Sequence, residues 1–421
     1  MPHIHAGFGT FYSTDSWIIG DARMNREVQN IKLTKNIVIW ICLAQLLTAF
    51  VGRSLAPLMV YISSDLSLNK VQLGFLPTAL FIGQSVATLP TGLLADWMSI
   101  RKMMLSLMVI VGIGFLCLAW TDQYFLAILC VIFAGVGYGG MHPVTNKVLV
   151  NTFVPSRLTL PMGLKQMSIT LGSALASLIL IPLVVLIGWR YSLSLASIIL
   201  ILIALLVYFK MSNSENLQQN RTNSTSLISN LKILIRSRRL LVLNIVALIL
   251  MGVQVTFNTF LILFLYEVKG WTIYYSGTCL AISELSGALG RILWGVISDR
   301  YFNSNRWIVL LFITLLTLGS FGMLYVMNSP VILIVSVIII GFSLSGFNGV
   351  WMNAAVESLS RSLSGSASGY SIMVASVGVF FIPPIFSAFI EYNGYGSGGI
   401  FLLILLIICG FILLFVKKLQ T

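Results

Sequence analysis

A few ionisable side chains stand inside long apolar runs: Arg53, His142, Lys165, Glu284 and Arg291. A charge held away from water is costly, so each is a candidate for chemistry. Arg53 lies about four residues, or roughly 6 Å, beyond the middle of its run, too deep to reach water easily. A guanidinium grips a carboxylate or similar anion with two parallel hydrogen bonds, so Arg53 can anchor an anionic solute. The competing readings are an ion pair with Glu284 or capture of a helix carbonyl. Glu284 sits near the middle of its own run and can take up and release a proton; its alternative is a structural ion pair. Arg291 follows seven residues later, on the same helical face. Lys165 stands about one turn into its run and is a possible ligand. His142 shares a face with Tyr138 and precedes Pro143, so it can relay protons or merely accompany a kink.

These groups need elements to hold them, and composition says what those elements are. Hydrophobic residues make up 58% of the 421-residue chain and charged residues 9%. A soluble domain carries roughly 25% charged residues. So few charges cannot cover a water-facing surface, and the natural solvent is lipid. The apolar runs predict helices over about 37–62, 71–94, 103–121, 124–149, 160–187, 191–210, 240–266, 273–298, 307–327, 330–353, 365–390 and 397–416. The expected fold is an all-α polytopic membrane protein of twelve transmembrane helices in two six-helix bundles. The expected boundaries are a tail over 1–36, bundles over 37–210 and 240–416, a polar linker over 211–239 and a short tail over 417–421.

Charge sets the orientation. With the N-terminus inside, nineteen Lys and Arg residues fall on the cytoplasmic side; only Lys70, Arg190 and Lys269 fall outside. The three left over from the total of twenty-five are Arg53, Lys165 and Arg291. The net charge of +13 therefore reflects sidedness rather than a nucleic-acid partner, which is not expected. Residues 1–29 have no apolar core and do not resemble a cleavable signal; His3 and His5 lie in this tail. Cys42, Cys117, Cys130, Cys279 and Cys409 have no metal-ligand spacing and read as small apolar side chains. No metal or cofactor is expected. Gly135-Val-Gly-Tyr-Gly-Gly140 lacks the Lys-Ser/Thr of a phosphate loop and reads as a helix-packing stripe.

One pattern recurs. After the second run the chain reads Gly92-Leu-Leu-Ala-Asp96-Trp-Met-Ser-Ile-Arg101-Lys102. After the eighth it reads Gly295-Val-Ile-Ser-Asp299-Arg300, with Arg306 six residues on. Glycine permits close helix approach, and the aspartate can pair with a base across the short loop or cap a helix. These loops resemble the loop 2–3 signature of the major facilitator superfamily, Gly-x-Leu-Ala-Asp-Arg-x-Gly-Arg-Lys, with departures at Trp97, Ser99 and Ile100. Gly188-Trp189-Arg190 resembles another common element of that family, and Gly163-Leu-Lys165-Gln166 a segment of several bacterial members.

The resemblance implies two bundles rocking about a midplane cavity, with Gly92, Asp96, Arg101, Lys102, Gly295, Asp299 and Arg300 as gating residues. It implies that helices 1, 4, 7 and 10 line the cavity. Candidate substrate ligands are then Arg53, Gln45, Thr48, Tyr138, Gln254, Asn258, Asn348 and Trp351. Glu284 and His142 are the proton-coupling candidates, and Lys165 and Arg291 possible further ligands. The amides can equally act as interhelical glue. The expected activity is secondary transport of a small organic anion, coupled to protons or by exchange, in a bacterial plasma membrane. The alternative is drug or metabolite efflux by proton antiport, although the Gly-Pro-rich signature of such exporters is missing from 171–177. The expected partners are a small solute, protons and the lipid bilayer. No clustered catalytic groups suggest an enzyme.

Overall fold

The computed structural model describes residues 36–94, 98–153, 159–211, 233–358 and 364–418. Helices account for nearly all of them, and no strand occurs among the described residues. A helix satisfies its own N–H and C=O groups, which lipid cannot do for it. Among the described residues, ten helices are long and apolar enough to cross a membrane. Two of them, Thr159–Lys210 and Ser364–Lys418, are of double length. Each is interrupted once, at Gly188 (φ 80°, ψ 161°) and at Gly394 (φ 78°, ψ 171°). Dividing at these glycines gives the expected twelve passes.

They are α1 (Asn36–Asp65), α2 (Lys70–Leu94), α3 (Ile100–Ala119), α4 (Tyr124–Thr152), α5 (159–187) and α6 (189–210), then α7 (Arg238–Glu267), α8 (Ile273–Tyr301), α9 (Arg306–Val326), α10 (Pro330–Glu357), α11 (364–393) and α12 (395–418). The first six and the last six form the two bundles. The basic end of the molecule carries Arg101, Lys102, Arg300 and Arg306. The other, called here the Lys70 end, carries Asp65, Lys70, Arg190 and Lys269.

Glycines set the packing of the first bundle. An added Cβ at Gly135 would strike Leu80 on α2, at Gly137 would strike Leu107 on α3, and at Gly139 would meet Gln84 Cα at 2.5 Å. Thus α4 is wedged between α2 and α3 through a bare glycine face, as the Gly135–Gly140 stripe predicts. Large apolar residues such as Val185, Leu186 and Phe209 remain exposed on the perimeter, where lipid is their solvent. The two bundles meet along α2 with α11 and α5 with α8. Thr78 Oγ1 donates to Val379 O at 3.2 Å, and Gly277 lies against Ile181.

At the Lys70 end, Arg190 ties three loops of the first bundle together. It donates to Asp65 (2.9 Å), Asp122 (2.5 Å), Ala119 O (2.9 Å) and Thr121 O (3.3 Å), while Trp189 Nε1 donates to Asp65 (3.1 Å). The Gly188-Trp189-Arg190 element is therefore a clamp. In the second bundle Lys269 does a related job, donating to Tyr325 O (3.2 Å), Met327 O (2.9 Å) and Asn328 Oδ1 (2.9 Å). The carbonyl cage withdraws water from Lys269, and this desolvation lowers its pKa.

At the basic end the outcome is mixed. Asp299 pairs with Arg306 across the short loop at 2.7 Å, and Arg306 also reaches Glu357 at 3.1 Å. Arg300 lies beside the Tyr301 ring instead, and Arg101 lies 5.3 Å from the Tyr208 ring centroid. Close helix approach at the two loop glycines is not realised. An added Cβ at Gly295 would meet nothing within 4 Å, and at Gly92 only Pro143 at 3.8 Å. Both lie towards the C-terminal ends of their helices. Asp96 and the 212–232 part of the linker lie outside the described residues.

A backbone with φ near +80° and ψ near 180° is accessible essentially to glycine alone, so a side chain there costs about 1–3 kcal/mol. Gly188→Ala and Gly394→Ala are each expected to lower the temperature at which the detergent-solubilised protein loses its monodisperse size-exclusion peak. Gly163→Ala, which would meet nothing within 4 Å, serves as control. Equal midpoints for all three would contradict the strained-turn assignment.

Candidate functional site

Two breaks in helical regularity create the site. The first is in α1. Arg53 N–H still donates to Ala49 O at 2.9 Å, but Ser54 N–H donates to Val51 O at 3.1 Å, a tighter turn. The second is in α10, where Gly341–Ser345 forms a π-helical segment. Such interruptions free backbone carbonyls at depth and survive only where protein or a cavity surrounds them.

Arg53 lies at the first break. Its Nε donates to the Tyr138 hydroxyl of α4 at 3.1 Å, and its guanidinium carbon lies 6.0 Å from the Phe81 ring centroid of α2. The Tyr138 ring is seated on Gly52, where an added Cβ would approach its Cδ2 to 2.5 Å. The residue before Arg53 is therefore small so that the tyrosine can lie flat against α1. His142 meets Tyr138 edge to face, 5.9 Å between centroids.

Arg291 lies at the second break. Its Nε donates to Ser345 O at 3.2 Å, a carbonyl of the π segment, and its NH1 donates to Gln166 O of α5 at 3.0 Å. It thus spans the two bundles. Lys165, 1% exposed, is held by the side-chain oxygen of Asn146. Glu284, 2% exposed, accepts at one oxygen from Ser173 of α5 (3.0 Å) and Asn258 of α7 (2.8 Å). No ion pair joins Glu284 to Arg53, Lys165 or Arg291 among the described residues. The Arg53–Glu284 ion pair considered from sequence is not formed: Arg53 bonds to Tyr138, and the carboxylate accepts from Ser173 and Asn258 instead.

The neutral candidates divide into pairs. Gln45 Oε1 accepts from Thr145 at 3.4 Å, and Gln254 Oε1 accepts from Asn348 at 3.3 Å. Among these candidates, four buried polar atoms have no hydrogen-bond partner among the described residues: Gln45 Nε2, Thr48 Oγ1, Asn258 Oδ1 and Trp351 Nε1. An unsatisfied buried donor or acceptor costs about 1–3 kcal/mol. Sequence reasoning missed Phe81, Asn146, Gln166, Ser173 and Ser345. Asn146 was legible, since it continues the Tyr138, His142 series at four-residue spacing. The two backbone carbonyls carry no sequence signal.

The Tyr138 hydroxyl is the hydrogen-bond partner of the Arg53 side chain, and hydrogen bonds to charged groups contribute about 1.5–3 kcal/mol. Tyr138→Phe is expected to lower the thermal midpoint, and Gly52→Ala to do the same by lifting the ring off α1. The double variant should lose little more than the worse single one. Additive losses would show that the two positions do not act through one contact.

With this geometry in place, comparison with known proteins is informative. A sequence profile of the Major Facilitator Superfamily matches residues 41–383. The chain is 27% identical over 169 residues to the glucose transporter GlcP of Staphylococcus epidermidis, covering 40% of this chain and 38% of that protein. It thus matches about two fifths of the length of that relative. It is 22% identical over 362 residues to a probable hexose phosphate transport protein of Chlamydia muridarum, covering 79% of each. Its fold is similar to that of a bacterial homologue of the human lysosomal transporter Spinster, crystallised in an inward-facing and unoccupied conformation. The TM-score is 0.78 at 14% identity, with 92% and 97% of the two chains covered. The nucleoside transporter NupG gives 0.76 at 16% identity, with 90% and 99% covered. Twelve passes in two bundles, a cluster of deep charges and a profile match over most of the length lead to one statement: this chain is a multi-pass membrane protein that belongs to the Major Facilitator Superfamily.

Proposed function

We propose that the protein moves a small hydroxyl-bearing organic anion by alternating access, coupled to protons or by exchange. One observation carries this reading. Arg53, Lys165 and Arg291 face a single membrane acid, Glu284, and each is bonded only to neutral groups among the described residues. A site with positive excess attracts anions. The unpartnered atoms of Gln45, Thr48, Asn258 and Trp351 suit a solute with hydroxyl groups. Of the two sugar-related relatives, the one named for hexose phosphate favours this class, while the glucose transporter shares only the hydroxyl-bearing character of the solute.

In this reading Arg53 anchors the anion, with Lys165 and Arg291 as further cations. Glu284 takes and releases the proton, with His142 as a second proton-handling group. The basic end faces the cytoplasm and the Lys70 end faces outward, in a bacterial plasma membrane, an orientation that the charge bias supports. The Asp299–Arg306 pair, with Gly92, Asp96, Arg101, Lys102, Gly295 and Arg300, belongs to the cytoplasmic gate.

The test is uptake by proteoliposomes loaded with a pH-sensitive dye and offered small carboxylates, sugar phosphates, neutral sugars and cationic drugs. Anion-triggered proton movement is expected. Arg53→Ala should weaken apparent affinity by about 10- to 100-fold, the loss of a charge-assisted hydrogen-bond pair. Glu284→Gln should abolish proton-driven accumulation while leaving solute exchange alive. A response to neutral or cationic compounds alone would overturn the anion reading, and unchanged accumulation in Glu284→Gln would remove that residue from coupling.

A further inference from the structure

The two bundles repeat each other, yet their Lys70 ends are neutralised differently. Asp65 closes α1, and Glu267 closes α7. Gly188-Trp189-Arg190 opens α6, and Gly394-Tyr395-Gly396 opens α12, each starting from a glycine of the same conformation. In the first bundle Asp65 is satisfied internally by Trp189 and Arg190. In the second, the place of Arg190 is taken by Gly396, which offers no cation. The other base of that bundle at this end, Lys269, is occupied by Tyr325 O, Met327 O and Asn328.

Glu267 therefore takes its cation from the other bundle. Its Oε2 pairs with Lys70 Nζ at 2.7 Å, and Lys70 Nζ also lies 4.6 Å from the Tyr395 ring centroid. The backbone N–H of Lys70, the first of α2, donates to Glu391 Oε2 of α11 at 2.8 Å. A carboxylate at a helix N-terminus is also favoured by the helix dipole. Two acids of the second bundle thus converge on one residue of the first.

We propose that Lys70, Glu267 and Glu391 form a latch between the bundles, and that the latch exists because position 396 lacks the arginine found at position 190. An acid satisfied within its own bundle cannot hold the halves together; one left without an internal base can. The latch then biases the protein towards the form closed at this end. It rests on the geometry of the two halves and not on the identity of the solute.

The missing arginine can be supplied. Gly396 is exposed, its backbone is not in the left-handed region, and an added Cβ would meet nothing within 4 Å. Gly396→Arg gives Glu267 a partner within its own bundle and withdraws it from Lys70. The full-length protein, with its five cysteines replaced, would be spin-labelled at Gln123→Cys and Asn393→Cys. Both positions are exposed, and they stand on opposite bundles at the same end. Pulsed electron–electron resonance in lipid nanodiscs then reads the distance distribution.

Gly396→Arg and Lys70→Ala are each expected to raise the long-distance population about two- to fivefold, the range for a partly exposed ion pair. Gly396→Ala should match the parent, and Lys70→Glu combined with Glu267→Lys should restore the parent distribution. The proposal is overturned if Gly396→Arg leaves the parent distribution unchanged while Lys70→Ala shifts it. It is equally overturned if Gly396→Arg produces its full shift in the Lys70→Ala background, because its effect would then not run through Glu267.

Discussion

A cation in the middle of a membrane must be given polar partners, and that need organises the centre of this molecule. Lipid provides none, so each partner has to come from the protein. For Arg53 it is a tyrosine hydroxyl brought close by a bare glycine. For Arg291 it is a carbonyl exposed by a π segment and another from the opposite bundle. For Lys165 it is an amide oxygen. None of these partners carries a formal charge. Among the described residues the cations are solvated by neutral groups of the protein, and the proposed anion site builds on that condition.

The same economy explains the irregular helices. A straight α-helix consumes all its carbonyls internally, leaving nothing to offer a buried guanidinium. Widening α10 over Gly341–Ser345 changes that locally and gives Arg291 the Ser345 carbonyl, while α1 tightens at Ser54, next to Arg53. The interruptions belong to different bundles, so the site is built where the halves meet. Glu284 sits on the same seam, reached by Ser173 from one bundle and Asn258 from its own. Among the described residues it accepts only from these neutral donors, so a change in its charge alters a contact that crosses the seam.

Internal repetition supplies the frame, and departures from it supply the asymmetry. Gly188 and Gly394 make the same turn, and Asp65 and Glu267 end corresponding helices. Arg190 clamps its own bundle, whereas Gly396 leaves Glu267 to Lys70 across the seam. At the basic end, Asp299 finds Arg306 rather than the adjacent Arg300. The short loop turns Arg300 away towards Tyr301, while the first residue of α9 faces back across the gap.

Lipid as solvent made much of this protein legible in its sequence. Apolar run length dictates helices, because no other single-segment structure satisfies its backbone in a membrane, and the twelve expected passes appear with edges shifted by a few residues. The Gly135–Gly140 stripe announced close packing for the same reason: absent side chains have a local meaning. The deep charges were visible too, since a Lys, Arg or Glu in an apolar run stands out by itself. What each charge touches was decided only by tertiary structure. Arg53 and Tyr138 are eighty-five residues apart, and no spacing rule links them. Ser345 and Gln166 contribute backbone carbonyls, which every residue possesses, so their selection depends on where helices break and cross. The glycines at 92 and 295 show the converse, because a small residue permits an approach without requiring one, and only the packing of neighbouring helices determines whether it occurs.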